Sequence, residues 1–117
     1  MHELSLCEAL IDQVEEEVQR CVQGGSVVGV DVVVGPLSGV HPESLRFAFE
    51  LLVPGTILER ARMNLIQSRP TCHCRRCRAR VEVDGLPVAC PECGDADIEI
   101  VGGGEILLQS IEIEDPS

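Results

Sequence analysis

Two Cys-x-x-Cys pairs, Cys74 with Cys77 and Cys90 with Cys93, stand twelve residues apart and constrain this chain more than any other feature. Two intervening residues let each pair fold into a tight knuckle that presents both sulfurs to one metal ion, and the longer loop brings the knuckles together into a tetrahedron. Gly94, directly after the second pair, supplies the left-handed backbone such a knuckle needs. Val81-Glu82-Val83 followed by Asp84-Gly85 predicts a strand and a turn, so the segment reads as a small hairpin ribbon. So short a segment buries too little apolar surface to fold alone; a structural zinc ion, on the order of 10 kcal/mol, replaces the core. Two disulfides are the competing pattern, but paired Cys-x-x-Cys in a chain without a secretory segment favours metal.

Cys72 and His73 bring the potential ligands to six for four places. Cys74, Cys77, Cys90 and Cys93 are preferred by spacing, which leaves Cys72 as a spare thiol or an alternative ligand and His73 as a solvated neighbour. Four thiolates leave no open coordination position, so the zinc is expected to be structural, and an enzyme with catalytic zinc is not expected.

Twenty acidic residues against nine basic ones give a net charge of −11, which disfavours a general nucleic-acid binder. Arg69, Arg75, Arg76, Arg78 and Arg80 nevertheless carry over half of the positive charge on or beside the first knuckle. They read either as a solvated surface or as a docking patch for an acidic partner. No run approaches the ~18 apolar residues that span a membrane, and no basic stretch precedes an apolar one at the N-terminus, so a cytoplasmic protein is expected.

In chain order, Cys7, Leu10, Ile11, Val14, Val18, Cys21 and Val22 follow the 3.6-residue period of one buried helix face. Ser5 and Glu8 have capping-box spacing, which predicts a helix start at or just before Ser5, and Gly24-Gly25 predicts its end. The Val-rich stretch from Ser26 to Gly35, with Asp31 its only charge, reads as a central strand. Pro42 opens a second helix with Leu45, Ala48, Phe49 and Leu52 on its apolar stripe, stopped by Pro54-Gly55. Thr56 to about Ala61 reads as a helical turn and Arg62 to Arg69 as a strand. After the cysteine module come a short strand over Ile98-Val101, a glycine hinge at Gly102-Gly104 and a last strand to Glu114. The order predicts an α+β fold of two helices on a three-stranded, mainly antiparallel sheet, with an inserted zinc-ribbon-like module. The expected domains are residues 1–70 plus 102–117, and 71–101.

His2 has a chemistry of its own. The amine of Met1, the deprotonated amide nitrogen of His2 and its imidazole close two adjacent chelate rings on one cation, in the tetragonal nitrogen set that suits nickel or copper. Glu3 offers an amide nitrogen or an axial carboxylate, and bulky His2 is expected to keep Met1 in place. His41 is a further candidate ligand, although a histidine at a helix N-cap needs no metal to explain it.

Met1-His2-Glu3-Leu4-Ser5-Leu6, Gly35 with Ser38, Pro42-Glu43-Ser44-Leu45, the two cysteine pairs and the closing Ile111-Glu112-Ile113 resemble the HypA/HybF family of hydrogenase nickel-incorporation proteins over nearly the whole chain. The resemblance implies a nickel metallochaperone that binds Ni(II) through Met1, His2 and Glu3 and carries structural Zn(II) on Cys74, Cys77, Cys90 and Cys93. It further implies partnership with the GTPase HypB, delivery to the large-subunit precursor of nickel-iron hydrogenase, and in some organisms a part in urease maturation. Two positions depart from the family pattern: Cys72 lies outside the usual ligand set, and His41 stands where an acidic residue is common. A zinc-ribbon adaptor that binds nucleic acid or a protein partner is the alternative reading.

Overall fold

The computed structural model describes residues 2–21 and 26–114, the side chains of His2 and Cys21 excepted. The first apolar stripe produces a helix, α1, over His2–Cys21, with Cys7, Leu10, Ile11 and Val14 buried. It starts three residues before Ser5, so Ser5 and Glu8 lie exposed inside the helix and form no cap. Glu3 and Leu4 are good helix formers, and a glutamate in the first turn opposes the positive end of the helix dipole, so nothing forces a later start. The stop expected at Gly24-Gly25, like Val22, lies outside the described residues.

The Val-rich stretch forms β1, Ser26–Val34, and Pro42–Leu52 forms α2, with Pro42 in the first turn. Strands follow at Arg62–Gln67 (β2), Thr71–Cys74 (β3), Arg80–Glu82 (β4), Ile98–Val101 (β5) and Ile106–Glu114 (β6). The expected helical turn after Thr56 is instead a run of tight turns. Thr56 N–H bonds the Val53 carbonyl, Glu59 N–H the Thr56 carbonyl and Ala61 N–H the Leu58 carbonyl, each three residues back. Thr56 Oγ1 does accept the Leu58 N–H at 3.1 Å, so its capping chemistry is used without a helix to follow.

Two sheets result, one ordered β2-β1-β6 with β1 in the centre, the other ordered β4-β3-β5. The chain forms two compact units: Met1–Val32, Val40–Ile66 and Leu107–Ser117 make the first, Val33–Gly39 and Gln67–Ile106 the second.

In the first unit the helices pack on one another. Val27, Val30 and Val32 of β1 join Leu45, Ala48 and Phe49 of α2 in the aliphatic core. The only charge of β1 is also accounted for. Asp31 accepts from Ser110 Oγ of β6 at 2.7 Å and from Asn64 Nδ2 of β2 at 2.9 Å, and these bonds hold its carboxyl below the usual carboxylate range.

In the second unit β3 pairs antiparallel with β4 on one side and with β5 on the other. Gly35 N–H bonds the Glu105 carbonyl at 2.8 Å and Leu37 N–H bonds the Gly103 carbonyl at 2.5 Å. A Cβ on Gly35 would overlap the carbonyl of Gly103, so the two segments meet only because position 35 has no side chain. Among the described residues no helix is long and apolar enough to cross a membrane.

Candidate metal centres

The two knuckles are built alike. After β3 the chain turns at Arg75-Arg76-Cys77, and Cys77 N–H points at Cys74 Sγ, 3.4 Å away. In the second knuckle Cys93 N–H and Glu92 N–H point at Cys90 Sγ at 3.4 and 3.3 Å. Such donors stabilise thiolate over thiol. They draw the Cys74 thiol down to about 7, chiefly through the Cys77 N–H, and the Cys93 N–H lowers Cys90 in the same way.

Each knuckle closes on a left-handed residue, Gly94 (φ 80°) in the second and Arg78 (φ 65°) in the first. Cys74 N–H returns to the Ala79 carbonyl at 3.0 Å, and Cys90 N–H to the Asp95 carbonyl at 2.8 Å.

The four sulfurs converge. Cys74 Sγ lies 3.6 Å from Cys93 Sγ, Cys77 Sγ lies 3.7 Å from Cys90 Sγ, and all four fall within 4.8 Å of one another. A tetrahedron with zinc–sulfur bonds of ~2.3 Å has edges of roughly 3.8 Å, so this donor set fits a closed four-thiolate zinc site. Cys74 and Cys90 are buried, while Cys77 and Cys93 are exposed.

Cys72 is outside this mutual set. Two residues before Cys74 on β3, it shares that residue's strand face and is 1% exposed, between Val81 of β4 and Ile100 of β5 in register. Burial, then the neighbouring Cys90 and Cys74, push its thiol up. His73 faces the other way, across from Arg80 and Glu99, with Nδ1 3.8 Å from the Glu99 carboxylate.

Most of the basic cluster is engaged in ion pairs. Arg75 pairs with Asp97 at 2.9 Å and with Glu99 at 3.8 Å, Arg76 with Asp95 at 3.3 Å, and Arg69 with Asp84 at 3.0 Å and Glu82 at 3.5 Å. Of the two readings of this cluster, the structure favours the surface balanced within its own module over an open patch for an acidic partner. Nothing in the sequence singles out Asp95 or Asp97. Only the fold shows that Asp95 Oδ1 accepts the Asp97 N–H at 2.8 Å and so shapes the turn into β5.

At the other candidate centre, Met1 and the His2 side chain lie outside the described residues, while the His2 backbone opens α1. Glu3 and His41, 38 residues apart, are brought together: Glu3 Oε2 accepts the His41 backbone N–H at 3.1 Å. His41 is the N-cap of α2, and its Nδ1 accepts the Ser44 N–H at 3.3 Å. That bond places the ring proton on Nε2, so capping alone accounts for the histidine.

Comparison with known proteins is specific. A family model described as hydrogenase/urease nickel incorporation, metallochaperone, hypA matches residues 1–113. The hydrogenase maturation factor HypA of Streptomyces avermitilis is 39% identical over 98% of this chain and 88% of its own length. That of Chlorobium limicola is 38% identical over 98% of both chains. The solution structure of the Ni metallochaperone HypA from Helicobacter pylori shares the fold, with a TM-score of 0.65 over 97% of both chains at 23% identity.

Proposed function

Because the chain belongs to the HypA family of hydrogenase/urease nickel-incorporation metallochaperones, we propose that it captures Ni(II) at its N-terminus and delivers it to the large-subunit precursor of nickel-iron hydrogenase. A HypB-type GTPase is its working partner, urease maturation a second destination, and the cytoplasm its compartment. It transfers an ion and catalyses no bond change, so it is not an enzyme.

The observation that carries this reading is the start of α1 at His2. The first four N–H groups of a helix have no acceptor within it, so a cation that displaces the His2 amide proton and binds that nitrogen breaks no hydrogen bond of the helix. The Met1 amine, the backbone nitrogens of His2 and Glu3 and the His2 imidazole form the donor set, and Glu3 is held in place through its bond to His41. His41 serves here by positioning Glu3 and capping α2. The positive end of the helix dipole opposes a bound cation and the Glu3 carboxylate offsets it. A site so balanced releases its ion readily, as a carrier must.

In the second unit Cys74, Cys77, Cys90 and Cys93 hold zinc, which when bound supplies a cross-link in place of a core; Cys72 packs beside them as a buried thiol. The paired arginines leave little basic surface for the alternative nucleic-acid adaptor.

The test is a nickel titration with zinc analysis on the untagged chain, on His2→Ala and on a form with one residue added before Met1. We expect one zinc per chain in all three and loss of tight nickel binding in both altered forms. Binding in the parent should weaken as pH drops through the histidine range, because protons compete for the same nitrogens. Equal nickel affinity in all three would remove the N-terminal site.

A further inference from the structure

One of the chain's two phenylalanines, Phe47, is 62% exposed on α2, and one turn further on Leu51 is 57% exposed. Neither contributes to the core that Leu45, Ala48 and Phe49 of the same helix help to build. With Leu4 of α1, itself 38% exposed, they line an open groove of about 390 Å³ floored by Ala48. Apolar side chains clustered so openly on a small chain mark a surface that something else covers.

The charge around the groove says what kind of partner fits. Among the described residues its acidic lining is Glu3 and Glu43, and no lysine or arginine lines it. The nearest cation on α2, Arg46, is turned away, its guanidinium donating to the Met63 carbonyl at 3.3 Å. A second copy of this chain would bring the same acidic rim and its own charge of −11 to the contact, so self-association is opposed. An anionic membrane surface is opposed for the same reason. Phe47 and Leu51 are spaced i, i+4, the interval at which side chains of an opposing helix interdigitate.

We propose that this groove is the docking site of an amphipathic helix of a partner protein, with an apolar face that covers Leu4, Phe47 and Leu51 and with basic residues flanking it toward Glu3 and Glu43. The inference rests on the delivery reading in one respect: Glu3 belongs both to the groove and to the proposed cargo site, so a partner seated here stands beside the ion. Phe47 and Leu51 carry no atom that ligates a cation, which keeps the two ideas separable.

The experiment titrates the full chain, zinc-loaded, with a synthetic amphipathic Leu/Lys peptide and with a Leu/Glu peptide of the same pattern, followed by calorimetry and backbone amide shifts. The Leu/Lys peptide is expected to bind one per chain, to move the amides of Leu4, Ser44, Phe47 and Leu51, and to lose at least about tenfold in affinity in Phe47→Ser and in Glu43→Lys. Phe47→Ser is expected to keep its fold and its nickel titration unchanged. Undiminished binding to Phe47→Ser would reduce the effect to attraction by net charge and overturn the proposal. So would equal binding of the Leu/Glu peptide, or light scattering that finds a dimer which Phe47→Ser dissociates. Failure of the nickel reading, seen as unchanged nickel affinity in His2→Ala, leaves these peptide results standing on their own.

Discussion

Arg78 and Gly94 occupy the same place in the two knuckles and answer the same demand with different side chains. Both have positive φ, and only glycine meets it without strain. Space around Gly94 is open, so Gly94→Ala should cost only the backbone penalty, about 1–2 kcal/mol. Arg78→Gly should relieve a similar strain against a glycine entropy cost of roughly 0.5–1 kcal/mol, for a net gain between zero and about 1.5 kcal/mol. Denaturant titrations of the zinc-loaded proteins measure both, and a destabilised Arg78→Gly would mean that the arginine side chain holds the knuckle. Gly94 was legible from its place after Cys93. Arg78 was not, because nothing in an arginine announces a left-handed backbone; only the symmetry of the two pairs hints at it.

Among the elements, β1 shows how a charge is tolerated at the centre of a sheet. Asp31 bonds Ser110 on one neighbouring strand and Asn64 on the other, so the carboxylate ties three strands at one level. Its folded-state pKa is depressed, so its contribution is fully present above the usual carboxylate range and is lost as pH falls through the lowered value. Asp31→Asn should therefore be less stable than the parent at neutral pH and converge with it in acid, as read from urea melts at several pH values. Parallel curves would show that the charge is irrelevant. The helical periods of α1 and α2, the valine run of β1 and the alternation that closes β6 made these elements readable in advance. β3 was missed because four residues, two of them cysteines, carry no period, and its identity as a strand comes from pairing with β4 and β5. The start of α1 was misplaced because a serine and a glutamate three apart look like a cap wherever they occur, while the backbone before them decides whether they act as one.

For the molecule as a whole, the two units rest on different physics. The first has an aliphatic core of its own, whereas the second gathers its burial around thiols that need a metal. Stripping zinc with a strong chelator should leave the far-UV helical signal intact, since both helices lie in the first unit, and should collapse amide dispersion for residues 67–106. Loss of the helical signal in the same transition would show one cooperative fold. The ligand spacing made the metal centre legible because four cysteines leave few geometries. The meeting of Glu3 with His41 was not legible, since 38 residues separate them and only the packing of α1 on α2 joins them. The contact at Gly35 reaches beyond physics into inheritance. Every missense change that one nucleotide can make in a glycine codon adds a β-carbon, and the carbonyl of Gly103 occupies the place where it would go. The gene can therefore drift at Gly104, where such a carbon meets open space, but at Gly35 it has no single-step neighbour that preserves the fold. Two glycines that look alike on paper thus sit at opposite ends of the evolutionary freedom this chain allows.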